Sequence, residues 1–425
     1  MKKLAKRMVA AVLGYQVRKL QAKNDFKVVA VAGSVGKTST KLAIAQVLST
    51  KFKVRYQNGN YNDLVSVPLI FFGETLPNLF NPLAWLGVFW RNQRQLKRRF
   101  PYEVVVVEVG TDKPGDIEEF KAYLKADLGV LTAVTPEHML LFKDMAAVAR
   151  EEFGLADLAA KLIINADMIE PKYHRDRRVD ATYALSQAAD LQLTNLKFDG
   201  LNSSFDVLWR GKHLLKAEHE AIAEPRLYSA AAAIAVAAEL GLTPAQIKAG
   251  LDLIKPVNGR MQQLAGVKHS TIIDDTYNAS PEAMKAALAT LYRLPAKQKI
   301  AILGNMNELG DYSKQAHEEI GRLCLPDELD QLVTIGADAN DYLATAAEAK
   351  GCKVNRFDDP VAAGEYLKEV IKDGGLILAK GSQNGVFAEE AIKPLLANAA
   401  DRKKLVRQTP AWLKIKSKQF NRQLA

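Results

Sequence analysis

Apolar positions along the chain fall into two successive series of short continuous runs separated by longer amphipathic stretches. Phe26 to Ala32, Tyr102 to Glu108, Leu128 to Val134 and Leu162 to Asp167 are short apolar runs rich in β-branched residues, the pattern of strands buried on both faces. Helical spacing separates them over 38–52, 116–125 and 146–162, with a short strand at Lys53–Tyr56. The polar stretch 170–220 alternates as short strands. Ser229 to Leu240 is almost wholly Ala, Val and Ile and predicts a helix buried all round. Thr243-Pro244 then opens a helix reaching Ile254. Pro256 to Arg260 reads as a domain boundary, after which the alternation restarts. Strands are predicted at 270–274, 300–303, 331–335 and 376–379, and helices at 281–294, 313–325 and 339–349. Strands alternating with helices predict an α/β protein with two parallel sheets. The domains expected are a basic amphipathic helix over 1–25, a central domain over 26–257 with helices on both faces of its sheet, and a Rossmann-like domain over 258–425.

The first strand runs into Gly33-Ser34-Val35-Gly36-Lys37-Thr38-Ser39, and a helix follows. A glycine turn between strand and helix aims backbone N–H groups at an anion. Lys37 supplies a point charge for outer phosphates, and the Thr38 hydroxyl can hold Mg²⁺. The spacing is shorter than G-x-x-x-x-G-K-[ST], because Val31 stands at the first glycine position. Nucleotide binding by a P-loop ATPase domain is the reading, against a bland Gly-rich turn. Glu108 and His138 each fall at or just past a strand's carboxyl end, the edge where open α/β sheets place ligands.

Composition narrows the class only a little. At 425 residues, 48% hydrophobic and 25% charged, the chain is an ordinary globular one. Cys324 and Cys352 are its only cysteines, too few for a disulfide framework or a four-cysteine zinc site, so a cytoplasmic location is expected. No apolar run reaches the roughly 18 residues of a spanning helix. The net charge of +10 favours nucleotides, anionic sugars or a membrane surface, and by itself does not choose among them. In the N-terminal helix Leu4, Met8, Ala11, Val12 and Tyr15 share a face. Packing on the central domain and lying on an anionic membrane are its two readings. The aromatic stretch Trp85–Trp90, followed by Arg91, Arg94, Lys97, Arg98 and Arg99, carries the same two readings.

Further blocks follow in order: Asn60-Tyr61-Asn62-Asp63, Glu108-Val109-Gly110, His138 and Asn258-Gly259-Arg260-Met261. Then come Asp274-Asp275-Thr276-Tyr277-Asn278-Ala279-Ser280-Pro281, Leu303 to Gly310 with His317, and Lys380-Gly381-Ser382. Over about 27–400 this series closely resembles the Mur ligases, in particular the branch that adds D-alanyl-D-alanine. The resemblance implies an ATP- and Mg²⁺-dependent ligase of peptidoglycan precursor synthesis. A muramoyl-peptide carboxylate would be phosphorylated and the acyl phosphate captured by D-Ala-D-Ala or a similar amine. It further implies that Gly33 to Ser39 bind the phosphates and that Thr38 and Glu108 hold Mg²⁺. His138 would serve a second Mg²⁺, and Arg260 would reach the γ-phosphate when the domains close. Asp275 and Asn278 would contact the nucleotide, and Asn60, Asn62, Lys380 and Ser382 the substrates.

Three departures bear on the substrate. Only about 25 residues precede the first strand, where the family carries a UDP-sugar-binding domain. Glu152 stands where the family has a lysine that becomes carbamylated, and is expected to supply the anion instead. Pro225-Arg226 replaces the usual His-Asn pair, and Asp63 the second asparagine of its loop. A polyglutamate-type or lipid-linked acceptor, or a lapsed binding protein, are the alternatives. The expected protein is a monomer that binds small molecules, with no nucleic-acid partner and a peripheral membrane contact as the sharper option.

Overall fold

The computed structural model describes residues 2–59, 61–200, 202–221 and 223–421, with side chains from Ala5 onward. The chain divides into two compact units. One holds residues up to 135, 141–221 and 225–255; the other holds 136–140, the stretch at 223–224, and the chain from Pro256.

The N-terminal unit is built on nine strands: β1 (Lys27–Ala32), β2 (Val54–Arg55), β3 (Val104–Glu108), β4 (Ala126–Leu131), β5 (Ala159–Asn165), β6 (Ala181–Ala184), β7 (Leu191–Asp199), β8 (Asn202–Trp209) and β9 (Lys212–His219). Their order is β2-β3-β1-β4-β5-β6-β7-β8-β9, parallel as far as β7 and antiparallel across β7–β8–β9. β1 and β3 are buried along almost their whole length, which is why they read as unbroken apolar runs. Helix α1 (Lys2–Lys23) precedes the sheet, and α2 (Lys37–Leu48) follows β1. The Ala-rich helix Glu224–Glu239 is buried along one continuous run from Ser229 to Ala237 and shares a core with α2. The helix Pro244–Asp252 starts in a full capping box between Thr243 and Gln246. It crosses α2 so closely at Gly250 that a Cβ there would lie 2.7 Å from the Val47 Cα.

The C-terminal unit has six strands: β10 (Gln262–Ala265), β11 (Thr271–Asp275), β12 (Lys299–Gly304), β13 (Gln331–Ile335), β14 (Val354–Phe357) and β15 (Leu376–Lys380). Their order is β10-β11-β15-β12-β13-β14, all parallel except β10. Helices pack on both faces, and two separate apolar cores lie on either side. The final helix, Pro410–Gln419, is tied in by buried charge. Lys416 Nζ lies 2.7 Å from a Glu389 oxygen and 2.6 Å from a Glu390 oxygen, and Arg407 Nη2 lies 2.6 Å from the other Glu389 oxygen. All of these groups are almost fully buried. Burial raises the Glu390 carboxyl, but Lys416 and Lys393 outweigh it and hold the group below its usual range.

Several boundaries differ from the sequence reading. The helix over 146–162 is cut to Met145–Glu152. A tight turn at Phe153–Asp157 follows, and Ala159 already pairs with Ala126 as the start of β5. The helix over 116–125 is α-helical only over Asp116–Glu119, and that over 339–349 begins as a π-turn at Ala339–Leu343. The second sheet is mixed rather than parallel, because β10 folds back on β11 as an antiparallel edge. β10 and β14 are short and only partly buried, so neither produces a long apolar run.

Gly250→Val should lower stability by about 1–3 kcal/mol, because the added methyls meet the α2 backbone rather than a movable side chain. Urea unfolding of the variant beside wild type measures this.

Candidate active site

Strand ends deliver the site in the N-terminal unit. After β1, Gly33 turns with φ 126° and Gly36 with φ 84°, and Gly36 is the N-cap of α2. A Cβ on Gly33 would lie 2.3 Å from Thr132 Oγ1 and 2.8 Å from the Ala133 nitrogen, so only glycine fits between β1 and the end of β4. The turn is stitched to that neighbour. The Ser34 N–H donates to the Ala133 carbonyl at 3.0 Å, Thr135 N–H to Ser34 Oγ at 3.0 Å, and Thr132 Oγ1 to the Val35 carbonyl at 2.6 Å. Lys37 Nζ donates back to the Gly33 and Ser34 carbonyls at 2.5 and 3.2 Å, folded over the turn it would share with an anion. Ser39 is half-buried in the first turn of α2.

Thr38 Oγ1 lies 3.0 and 3.2 Å from the two oxygens of Glu108, which ends β3 and is 1% exposed. A buried carboxylate needs a cation. Lys41, itself fully buried, supplies one with Nζ 3.1 Å from Glu108 Oε2. The same ammonium donates to the Gly59 carbonyl at 3.0 Å and so ties the Asn58–Asp63 loop to α2. Lys41 is absent from the sequence-level candidates. The available signal was its position three residues after Thr38, on the same helical face.

Asn62 lies against Gly110, just beyond Glu108: its carbonyl accepts the Gly110 N–H at 2.8 Å. Asn60 lies outside the described residues. Asp63 accepts from the Ser66 N–H at 2.8 Å and Ser66 Oγ at 2.8 Å and pairs with Lys6 at 2.8 Å, so its charge is used in a turn. Glu152 is buried at the end of its helix. Its neighbour Glu151 accepts from the Gly115 and Ile117 N–H groups at 2.7 and 2.6 Å and from Thr111 Oγ1 at 3.2 Å, which fixes the turn after β3. Arg226 is mostly buried. Beside it the His219 imidazole is held down to about 4, by burial first and by the Arg226 charge second.

In the C-terminal unit, His138 Nδ1 lies 2.6 Å from Glu308 Oε2. The pair lines a small open cleft with Asn278, Ser280 and Asn307. The bond to His138 holds the Glu308 carboxyl below its usual range. Both residues have left-handed backbones, φ 51° and 66°, a conformation that costs energy for a side chain with a Cβ and that clusters at functional sites. Glu308 was present in the Leu303–Gly310 block but carried no assigned role.

Lys380 and Asp275 meet each other: Nζ is 2.5 Å from Asp275 Oδ2 and 2.9 Å from the Asn278 carbonyl, with Lys380 only 2% exposed. Asp275 also accepts the Met261 N–H at 3.0 Å. Ser382 Oγ accepts the Asn307 N–H at 2.9 Å and donates to the Ala279 carbonyl at 3.2 Å. The Arg260 guanidinium stacks 4.1 Å over the Tyr277 ring. His317 is a core group whose Nε2 accepts the Met306 N–H at 2.9 Å, and burial pushes its pKa down. The described residues form no cluster of three or more His, Cys, Asp or Glu poised to hold a metal. The oxygen donors that are gathered are the Thr38 hydroxyl and the Glu108 carboxylate, a hard pair suited to Mg²⁺.

Comparison with known proteins agrees across both units. Residues 31–237 match the Mur ligase middle domain, and residues 259–383 match the Mur ligase glutamate ligase domain. The chain is 28% identical over 387 residues to the UDP-N-acetylmuramoyl-tripeptide–D-alanyl-D-alanine ligase of Bacillus subtilis, covering 87% of this chain and 76% of that one. It is 30% identical over 380 residues to the ligase of the same name from Synechocystis, covering 87% and 74%. The crystal structure of a MurF ligase from Thermotoga maritima in complex with ADP superposes with a TM-score of 0.74 at 24% identity, covering 91% of this chain and 83% of that one.

Lys41→Met should cost about 3–5 kcal/mol in urea unfolding, because it leaves the Glu108 carboxylate buried without its cation. Adding Glu108→Gln to that variant should recover part of the loss, and a double-mutant cycle reads the coupling.

Proposed function

The chain belongs to the Mur ligase family of ATP-dependent amide ligases, and on that premise we propose that it joins D-Ala-D-Ala or a similar amine to a muramoyl-peptide carboxylate in cytoplasmic peptidoglycan precursor synthesis. The carboxylate oxygen attacks the γ-phosphorus of ATP and ADP leaves. The amine nitrogen then attacks the acyl carbon, inorganic phosphate departs, and the nitrogen gives up a proton. Two anions must approach each other in the first step, so cations decide its rate.

The observation that carries the reading is the Gly33–Thr38 turn with Glu108 against the Thr38 hydroxyl. The amine and acceptor are taken from the names of the relatives. In this reading Gly33 to Ser39 cradle the phosphates and the Lys37 ammonium follows the transferred phosphoryl group. Thr38 and Glu108 would hold Mg²⁺, His138 would serve a second ion, and Glu152 would supply the anion of the replaced carbamate. Bound Mg²⁺ would neutralise phosphate charge. Arg260 serves the γ-phosphate, and its flat guanidinium is already ordered by stacking on Tyr277. Asp275 and Asn278 meet the nucleotide. Asn60, Asn62, Lys380 and Ser382 shape the substrate pockets, with Lys380 acting through Asp275.

Phosphate release with a panel of amines and muropeptides tests the reading. Release that requires both D-Ala-D-Ala and a muramoyl-peptide is expected. Release with glutamate and a folate, or none with any pair, would overturn it. Lys37→Ala should lower turnover by at least ~10²–10³-fold while the fold is retained.

Glu152 gives a separate test. A carboxylate in place of a carbamylated lysine needs no CO₂, so activity should not respond to bicarbonate. Glu152→Gln should raise the Mg²⁺ concentration needed for half-maximal turnover. Activity lost on CO₂ removal and restored by bicarbonate would assign the anion to a carbamylated lysine instead.

A further inference from the structure

The N-terminal unit carries an apolar face that its own core does not use. Helix α3 (Ser66–Phe72) is followed by a loop from Gly73, helix α4 (Pro82–Gln95) and a second loop to Phe100. Trp85, Val88 and Asn92 face inward on α4, whereas Leu83, Leu86 and Trp90 point to solvent, 79%, 62% and 60% exposed. Leu76 and Phe80, just before the helix, are exposed as well. A single exposed leucine needs no explanation, but five large apolar side chains within fifteen residues do.

α1 extends this face. Its inward residues are Leu13, Gln16, Val17 and Leu20, while Met8, Val12 and Tyr15 are exposed. Of the face read from the sequence, Met8, Ala11, Val12 and Tyr15 are left open, and the Leu4 side chain lies outside the described residues. Gln16 fixes the neighbour: its Nε2 donates to the Phe89 carbonyl at 2.9 Å, and its Oε1 accepts from Asn92 at 2.8 Å. Lys23 reaches the Leu96 carbonyl at 2.8 Å, so the two helices run side by side. The opposite flank of α1 is taken up by Gln21 on the Lys125 carbonyl and Arg18 on that of Ala122. At 100° per residue, Met8, Val12, Tyr15 and Lys19 fall within about 60° of one another between the Gln16 and Arg18 flanks, with Val12 and Lys19 nearest α4.

The charge is as uneven as the apolarity. Residues 1–24 and 75–102 contain twelve Lys and Arg and no Asp or Glu, so the rest of the chain is net negative and the whole +10 comes from these two stretches. Lys6 and Arg91 are used on Asp63 and Glu74. Arg94 lies 4.7 Å from the Trp90 ring centroid and Lys19 4.6 Å from that of Tyr15, so cations and aromatic rings sit together on this face.

We propose that the α1–α4 face docks on an anionic lipid bilayer. Leucines and Trp90 would enter the acyl boundary, while Lys19, Arg94, Lys97 and Arg98 would meet lipid phosphates at the level of the aromatic rings. Charge complementarity chooses this occupant. A nucleic acid would use the cations but leave the leucines in water. An apolar protein partner would have to desolvate the cations. The contact is peripheral, since no helix of the described residues is long and apolar enough to cross a membrane. The proposal does not depend on which amine or acceptor the ligase uses.

Vesicle sedimentation of the full chain tests it, with phosphatidylcholine vesicles alone and with phosphatidylglycerol added. Sedimentation with the anionic vesicles only is expected at low salt. A Leu83→Ser, Leu86→Ser, Trp90→Ser variant and an Arg94→Gln, Lys97→Gln, Arg98→Gln variant should each weaken it about tenfold or more. Both sets are on the surface, and unchanged ATP binding confirms that each variant folds. Trp90 reports insertion directly: vesicles should shift tryptophan emission to the blue in wild type and not in Trp90→Phe. No association with anionic vesicles at low salt would overturn the proposal. So would apolar variants that sediment like wild type, which would leave a bare polyanion-binding surface.

Discussion

A carboxylate buried at the end of a strand is the constraint around which the N-terminal unit is arranged. Glu108 leaves β3 into an almost closed environment, and its charge is tolerable only because Thr38 and Lys41 converge on it from α2. That fixes the rotation of α2 about its axis, which in turn fixes where Gly36 and Lys37 begin the helix. Gly33 can make the preceding turn only because it has no Cβ to meet Thr132. Three adjacent strands, β1, β3 and β4, thus each contribute a strand-end residue to a single small volume. Gly250 presses α2 onto the sheet from behind. The Gly33–Thr38 turn is held by contacts that are themselves mostly buried, so it is ordered before any ligand arrives.

The order of elements was readable because the parallel strands are buried on both faces and so write themselves as apolar runs. Phe26–Ala32 and Gln331–Ile335 are examples, and the structure has strands at Lys27–Ala32 and Gln331–Ile335. Reading failed where tertiary pairing overrode a local period. Residues 159–161 continue a helical pattern but pair with β4, and Gln262–Ala265 gains its strand character from β11 alone. At the site, Thr38 and Glu108 were legible because motif spacing and strand ends point to the same edge of the sheet. Lys41 and Glu308 were not. Each acts through a neighbour distant in sequence, Glu108 and His138, and a lysine or glutamate one turn from a motif looks like any solvated side chain until that neighbour is known. The Lys380–Asp275 pair is a similar case, since two residues read as separate ligand contacts hold each other across 105 positions.

The two units solve burial of charge differently. In the N-terminal unit the buried ion pair stands beside the Gly33–Thr38 turn, with the Thr38 hydroxyl on its carboxylate. In the C-terminal unit the buried cluster of Lys416, Arg407, Glu389 and Glu390 fastens the last helix to the sheet, and Arg407 also donates to the Thr276 and Tyr277 carbonyls.

That fastening has a consequence for how the chain matures during translation. Glu389 and Glu390 are made before most of their partners: Lys393 follows within a few residues and Arg407 comes next, but Lys416, which reaches both carboxylates, is added last. The N-terminal sheet can complete its pairing as soon as β9 emerges. The C-terminal sheet has its described strands by Lys380, but the charge cluster packed against it is complete only once Lys416 has been added. Synthesis and folding are therefore staggered along this chain. A product interrupted before Lys416 would have all the strands of both sheets, but its Glu389–Glu390 pair would lack the ammonium that reaches both carboxylates.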